Sequence, residues 1–170
     1  MSVTEITETR QYLTFKLGNE VFATDVAKVR EVLDFTTITA IPRTPDFMSG
    51  VINLRGSVVP VVDLRLCLEM SKTEKTRNTC IVVVEVLLEN EATVIGALAD
   101  SVEEVIDLEP DQIQPPPRIG THIRTDFIKG MGKRDTQFVM ILDIDRVFSA
   151  EELATVRTTE SGRAMAEATA

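Results

Sequence analysis

The chain repeats part of itself, and this repeat constrains the fold more than any other feature. The motif Asp46–Gly50 (Asp-Phe-Met-Ser-Gly) recurs 80 positions later as Asp126–Gly130 (Asp-Phe-Ile-Lys-Gly). The apolar run Val58–Leu64 recurs at the same offset as Phe138–Ile144. Each copy is too small to hold a comfortable core alone, so the repeat predicts two β-barrel-like subdomains of about five strands that share a core.

A second pair of matching segments has a different offset. Val29–Asp34 matches Val102–Asp107 at 73 positions, so the second copy carries seven additional residues between its blocks. We assign the insertion to Gln114–Thr121, which contains three consecutive prolines. Prolines lack the backbone donor that a helix or a central strand needs, so this segment is predicted to be a long loop.

The apolar pattern within each copy is typical of β-strands. Tyr12–Leu17 alternates, and Val58–Val62 and Ile81–Val86 are short β-branched runs between turn residues. Val26–Leu33 also fits a helical period, but its β-branching favours a strand or a short turn of helix. Further strands are predicted at Val21–Asp25, Val94–Asp100 and Gln137–Leu142, with hairpin turns at Gly18-Asn19 and Glu89-Asn90-Glu91.

An aspartate directly follows the apolar part of each repeated segment, Val58–Val62 or Phe138–Leu142, and is predicted to cap a short helix. Asp63 and Asp143 hold this position. The pair Asp143 and Asp145 also suggests a divalent cation, but the repeat partner of Asp145 is Arg65, which favours the cap. Ser149 is predicted to begin a last helix that runs to about residue 157.

These elements predict a mainly β fold with short helices and a C-terminal helix. We expect a flexible N-terminus over residues 1–10, one domain over 11–157 and a disordered tail over 158–170. Within the domain, the two subdomains are predicted at about 12–68 and 80–148, and we expect them to be intertwined.

The composition excludes several classes of function. The net charge of -9, from 27 acidic and 18 basic residues, opposes binding to nucleic acid. The N-terminus lacks a signal peptide, and no apolar run has the roughly 20 residues of a membrane helix. We therefore expect a cytoplasmic protein that does not insert into a membrane.

The sequence offers little chemistry for catalysis or metal binding. His122 is the only histidine, and Cys67 and Cys80 lack C-x-x-C spacing. The glycines do not form a phosphate-binding motif. We expect no catalytic residue, no metal and no cofactor, so the chain is predicted not to be an enzyme.

The two copies differ most after the repeated glycine. The first copy reads Gly-Val-Ile-Asn-Leu-Arg-Gly over Gly50–Gly56, and the second reads Gly-Met-Gly-Lys-Arg-Asp-Thr over Gly130–Thr136. Arg55 follows an apolar strand and precedes a glycine. Its guanidinium is predicted at the rim of the junction between the subdomains, available to a carboxylate or a carbonyl; the alternative is a hairpin arginine in water.

Several stretches of the sequence resemble a known family. Gly50–Arg65 resembles the most distinctive stretch of the CheW-like domain, and the resemblance extends from Gln11 to Leu153. Val102–Asp107 and Phe127–Gly130 resemble the second half of that family. The resemblance implies two SH3-like five-stranded barrels, and the form of a free coupling protein.

The resemblance also implies a function. Such a protein joins the cytoplasmic tip of methyl-accepting chemotaxis receptors to the histidine kinase CheA, as a monomer that becomes part of a receptor array. The positions matching receptor contacts are Val29, Glu31, Gly50 and Arg55. We expect Arg55 to pair with Glu31, Val29 to supply apolar contact and Gly50 to permit close approach. The alternatives are a core valine, a solvated glutamate and a turn glycine.

The kinase contacts implied by the resemblance lie in the Pro-rich loop. Relatives present a basic and an aromatic residue there, whereas this chain has Gln114 and Ile119. Two other functions stay open: a CheW-like adaptor of a non-flagellar pathway that controls twitching, biofilm or second-messenger output, and a small β-barrel enzyme.

Overall fold

A computed structural model describes residues 9–88, 90–115, 127–134 and 137–149, and the fold is mainly β, as predicted. The described strands are β1 (Arg10–Leu17), β2 (Glu20–Asp25), β3 (Val29–Asp34), β4 (Met48–Leu54), β5 (Ser57–Asp63), β6 (Cys80–Leu88), β7 (Glu91–Ala99), β8 (Ser101–Leu108), β9 (Ile113–Gln114), β10 (Ile128–Arg134) and β11 (Gln137–Leu142). The described helices are α1 (Leu64–Cys67) and α2 (Ile144–Ser149), with 3-10 turns at Val26–Lys28 and Pro110–Gln112.

The strands form two sheets that exchange hairpins between the repeat copies. Sheet A has the order β8-β1-β2-β11-β10-β9, and sheet B has the order β3-β6-β7-β5-β4. The contacts β2–β11 and β5–β7 are parallel. Sheet A thus joins the first hairpin of the chain to strands of the second copy, and sheet B does the reverse. The sheets therefore do not coincide with the predicted ranges 12–68 and 80–148.

The crossings between the sheets are short. The chain passes from β2 to β3 through the 3-10 turn Val26–Lys28, so the segment with two possible periodicities contains one turn of helix followed by a strand. It returns from β7 to β8 through Asp100. Each crossing consequently sits directly beside an outer strand, β3 or β8.

The two sheets share one core, which confirms that prediction. On β6, Val82, Val84 and Val86 belong to a cluster that contains residues of both sheets, whereas Ile81 and Val83 belong to a cluster of sheet B alone. Side chains alternate between the faces of a strand, so β6 is buried on both faces. This double burial explains why β6 reads as a continuous apolar run rather than an alternating one.

Both predicted aspartate caps are present. The Asp63 carboxylate accepts a hydrogen bond from the backbone N–H of Arg65 at 3.2 Å, and that of Asp143 accepts one from Arg146 at 3.3 Å. Ser149, predicted to begin a last helix, is instead the last described residue of α2. A helix that starts two residues after the apolar run continues through Ser149, so no new cap is needed there. Residues 150–157 of the predicted helix lie outside the described residues.

The Pro-rich segment begins differently from the prediction. Gln114, which we expected in a loop, pairs with Met131 as part of β9, because the strand ends only where the prolines begin. Residues 116–126, and with them His122 and Ile119, lie outside the described residues, as do 1–8 and the predicted tail. In the part of the chain that is described, no helix is long and apolar enough to cross a membrane.

Candidate functional site

An ion pair between Arg55 and Glu31 joins the β4–β5 turn to β3, which lies at the other end of the strand order of sheet B. The guanidinium nitrogens of Arg55 lie 2.6 and 3.0 Å from the two carboxylate oxygens of Glu31, a bidentate contact. Glu31 lies on β3, and Arg55 lies in the β4–β5 turn with a φ of 52°. In a flat five-stranded sheet β3 would lie about 14 Å from β5 and about 19 Å from β4. The sheet must therefore curl until its edges approach, as barrel closure requires; closure itself stays a prediction.

The two members of this ion pair differ in their exposure to solvent. Three quarters of the Arg55 side chain is exposed, against one quarter of the Glu31 side chain. The hydrogen bond from Arg55 lowers the pKa of Glu31 below its ordinary value, and the same contact raises the pKa of Arg55. Glu31 therefore holds the guanidinium of Arg55 in place while most of the Arg55 side chain stays exposed to solvent. This arrangement differs both from a buried structural cation and from an arginine contacted by water alone.

Gly50 is crowded by its own chain. A Cβ at this position would lie 2.2 Å from the carbonyl oxygen of Thr39 and 2.8 Å from Cγ2 of Ile38, and the φ of Gly50 is 145°. Thr39 approaches because its N–H and C=O both bond to Val51, at 2.9 Å each. Gly50 lies in β4 rather than in a turn, and its missing side chain admits this neighbouring segment.

Val29 lies at the start of β3 and is half-buried. It packs against the core shared by the two sheets. The structure thus gives Val29 and Gly50 contacts within the chain, and it joins Glu31 to Arg55 by a direct contact. A receptor role for the four residues stays a prediction.

The second copy contains a related ion pair that the sequence analysis did not find. Arg134, at the end of β10, lies 2.7 Å from Glu104 on β8, and this contact lowers the pKa of Glu104. Glu104 is the repeat partner of Glu31 at the offset of 73. The basic partner is shifted by one residue, because position 135 is the counterpart of Arg55. The repeat alignment of the two glutamates was the available signal.

The surroundings of the repeated glycine are also alike in the two copies. A Cβ on Gly130 would lie 2.6 Å from Cγ2 of Ile113 and 3.1 Å from the carbonyl oxygen of Gln114. Ile113 and Gln114 thus hold the place that Ile38 and Thr39 hold beside Gly50. A short segment that crosses the repeated glycine is therefore common to both copies of the fold.

Exposed apolar side chains recur at repeat-related positions. Val32 and Val105 correspond at the offset of 73, and Val58 and Phe138 correspond at 80. All four have more than 40% of their surface exposed, as does Leu87 on β6. Of the two predicted kinase contacts, Gln114 is exposed on β9, on sheet A.

The described residues offer no grouping of three or more His, Cys, Asp or Glu side chains that could hold a metal ion. Asp145, which suggested a cation in the sequence, contacts Lys28 instead. Cys67 is buried, and burial raises the pKa of the half-buried Cys80 thiol.

Comparison with known proteins gives consistent matches over the described fold. A sequence model of the family described as CheW-like domain matches residues 11–152. The chain is 35% identical over 147 residues to the chemotaxis protein CheW of Klebsiella aerogenes, covering 86% of each chain. It is 32% identical over 143 residues to the probable chemotaxis protein CheW of Rhizobium etli, covering 84% of this chain and 90% of the other.

A solved structure matches as well. The crystal structure of the scaffolding protein TtCheW from Thermoanaerobacter tengcongensis has a TM-score of 0.75 and 33% sequence identity to this chain. The match covers 86% of this chain and 92% of the other. The similarity therefore includes both sheets rather than one repeat copy.

Proposed function

Because the chain belongs to the CheW-like domain family, we propose that it is a non-catalytic adaptor of bacterial chemotaxis. It joins the cytoplasmic tip of methyl-accepting receptors to the histidine kinase CheA, so that the receptor state controls autophosphorylation of the kinase. It acts in the cytoplasm as one component of a receptor array. The relatives bear the names chemotaxis protein and scaffolding protein, which support this class of function.

The observation that carries the receptor half of the proposal is the bidentate contact between Arg55 and Glu31. A guanidinium has five N–H donors, and only some are used on Glu31. The exposed remainder can bond to a carboxylate or a helix-terminal carbonyl on a partner. The receptor tip is a helical hairpin in this proposal, and it binds where Arg55 of the β4–β5 turn meets Glu31 of β3, beside Val29.

The kinase half of the proposal assigns the regulatory domain of the kinase to sheet A. Val105 and Phe138 expose 51% and 47% of their surfaces there, and exposed apolar side chains are available for a protein contact. Val32 and Val58 are exposed to a similar extent on sheet B, the sheet assigned to the receptor, so it is Gln114 that favours sheet A for the kinase. Gln114 on β9 adds a polar group on the same sheet. Because receptor and kinase then use different sheets, both can be bound together.

The proposal is tested by binding and kinase assays with purified components. The full chain is immobilised and offered a receptor cytoplasmic fragment, a CheA-type kinase, or both. Retention of each partner alone, together with autophosphorylation that responds to the receptor only when the chain is present, supports the adaptor role. Retention of neither partner contradicts it. A kinase and receptor from a non-flagellar pathway form a parallel sample, and selective binding there favours the alternative adaptor function.

A further inference from the structure

One ion pair ties α2 to the crossing between the sheets. Lys28 Nζ lies 2.7 Å from Asp145 Oδ2, and about one third of each side chain is exposed. Lys28 ends the 3-10 turn through which the chain leaves sheet A, and β3 begins at the next residue. Asp145 lies on α2, which directly follows β11 of sheet A. The contact therefore links the residue that precedes β3 to the helix that follows β11 of sheet A.

The carboxylate of Asp145 also contacts β6, a strand of sheet B. Oδ1 of Asp145 accepts a hydrogen bond from the backbone N–H of Leu87 on β6, at 3.0 Å. Since β6 pairs with β3, with Val84 opposite Val29, Asp145 contacts one strand of sheet B at Leu87 and, through Lys28, the turn that leads into the neighbouring strand. One half-buried side chain thus anchors the edge that contains Val29 and Glu31.

The repeat contains a counterpart with the charges exchanged. Arg65 holds in α1 the position that Asp145 holds in α2, and its guanidinium lies 2.9 Å from Asp100 at the return crossing. The Asp100 carboxylate also accepts the backbone N–H of Gly18, in the β1–β2 turn. In the α1 pair the residue on the helix is basic and the residue at the crossing is acidic. In the α2 pair the residue on the helix is acidic and the residue at the crossing is basic. This geometry therefore accommodates either polarity.

We propose that Asp145 is a positioning residue for receptor binding, acting through Lys28 on the start of β3. This inference rests on the proposed function. Asp145 does not touch the receptor: it fixes Val29 and Glu31 relative to sheet A, the sheet assigned to the kinase. The pair consequently connects the receptor edge to the kinase side by a direct side-chain contact.

The test uses the full chain and three variants. Asp145→Asn keeps an oxygen acceptor for the Leu87 N–H but removes the charge that holds Lys28. The double variant Lys28→Asp with Asp145→Lys restores an ion pair of reversed polarity. Asp143→Asn is the matched control, since it alters the α2 cap and leaves the Lys28 contact in place.

We expect Asp145→Asn to weaken receptor-fragment binding by about threefold to tenfold, with kinase binding changed less than about twofold. The double variant regains only part of the receptor affinity, because Asp145→Lys restores the ion pair but removes the acceptor of the Leu87 N–H; Asp143→Asn leaves the affinity unchanged. An equal loss of both affinities, or a double variant that regains the melting temperature without regaining receptor affinity, overturns the proposal because the pair is then only structural.

A readout without any partner separates this inference from the proposed function. Backbone amide chemical shifts of Val29 and Glu31 should move in Asp145→Asn and return in part in the double variant. Unmoved shifts overturn the positioning role even if the wild-type chain binds both partners. A wild-type chain that binds neither partner contradicts the adaptor function and, with it, the receptor part of this proposal.

Discussion

Gly50 lies against the carbonyl oxygen of Thr39 so closely that a Cβ would stand 2.2 Å from it. The obstacle is backbone, which cannot rotate away as a side chain can. Beside the equivalent Gly130, the nearest atom is a side-chain methyl of Ile113 at 2.6 Å. The two glycines therefore occupy matching places with different tolerance for a side chain.

This difference predicts unequal effects of alanine. Gly50→Ala should lower the free energy of unfolding by about 2–4 kcal/mol, because it adds a backbone clash to an unfavourable φ. Gly130→Ala should cost about 1–2 kcal/mol, since Ile113 can adjust. Urea unfolding of both variants measures this. If Gly50→Ala keeps full stability and loses only receptor binding, Gly50 is a receptor contact as the resemblance implied.

Arg55→Ala should weaken receptor binding by about tenfold and leave kinase binding and the melting temperature nearly unchanged. The reason is that the Arg55 side chain is three quarters exposed, so its removal leaves no cavity. Titration calorimetry with the receptor fragment and the kinase domain measures both affinities. Arg134→Ala is the matched control in the second copy and should leave receptor affinity intact. Equal loss of both partners, or unfolding, would make Arg55 structural.

The lowered pKa of Glu31 predicts the pH range of its ion pair. A carboxyl group whose pKa falls on folding stabilises the fold above its unfolded pKa, and this contribution disappears as the pH falls through the folded pKa. The ordinary value here is 4.5, so the pair should persist at neutral and mildly acidic pH. A carbon-13 titration of the Glu31 carboxyl should give a midpoint below 4.5 that rises in Arg55→Ala. An identical midpoint in both proteins would mean that the pair does not form in solution.

The two helix caps should differ in strength. Asp63 is buried and, besides Arg65, accepts hydrogen bonds from the N–H and the hydroxyl of Thr73 at 2.9 and 2.6 Å. Asp63→Ala removes the acceptor of three hydrogen bonds from half-buried donors and should cost about 2–3 kcal/mol. Asp143→Ala, at the more exposed cap, should cost about 1 kcal/mol. Chemical unfolding of the two variants measures both, and equal losses would contradict the role assigned to Thr73.

The strands and caps could be predicted because their signals are local. Alternation marks β1, and the aspartate after each apolar run satisfies the first backbone donors of the helix that follows. Intertwined subdomains were expected, but the strands with which each hairpin pairs could not be derived, since a repeat fits several arrangements equally well. That choice depends on packing between residues distant in sequence.

The candidate site could be predicted only in part, because its ion pairs also join residues that are distant in sequence. The ion pair of Arg55 with Glu31, expected from the resemblance, is present, while its role toward a receptor stays a prediction. The pair of Glu104 with Arg134 was missed because its basic residue is one position out of the repeat. The contact of Lys28 with Asp145 was missed because its residues lie 117 positions apart and the repeat partner of Lys28 is Ser101, which carries no charge.

The hairpin exchange also determines the order in which the chain can fold during synthesis. Sheet B is contiguous from β3 to β7, so its pairings can form as soon as those strands have left the ribosome. The β1–β2 hairpin, although made first, must wait for β8 and β11 before it has neighbours on both sides. The earliest part of the polypeptide therefore completes its sheet last, and until β11 is made β2 is an unpaired sheet edge of the kind that favours aggregation.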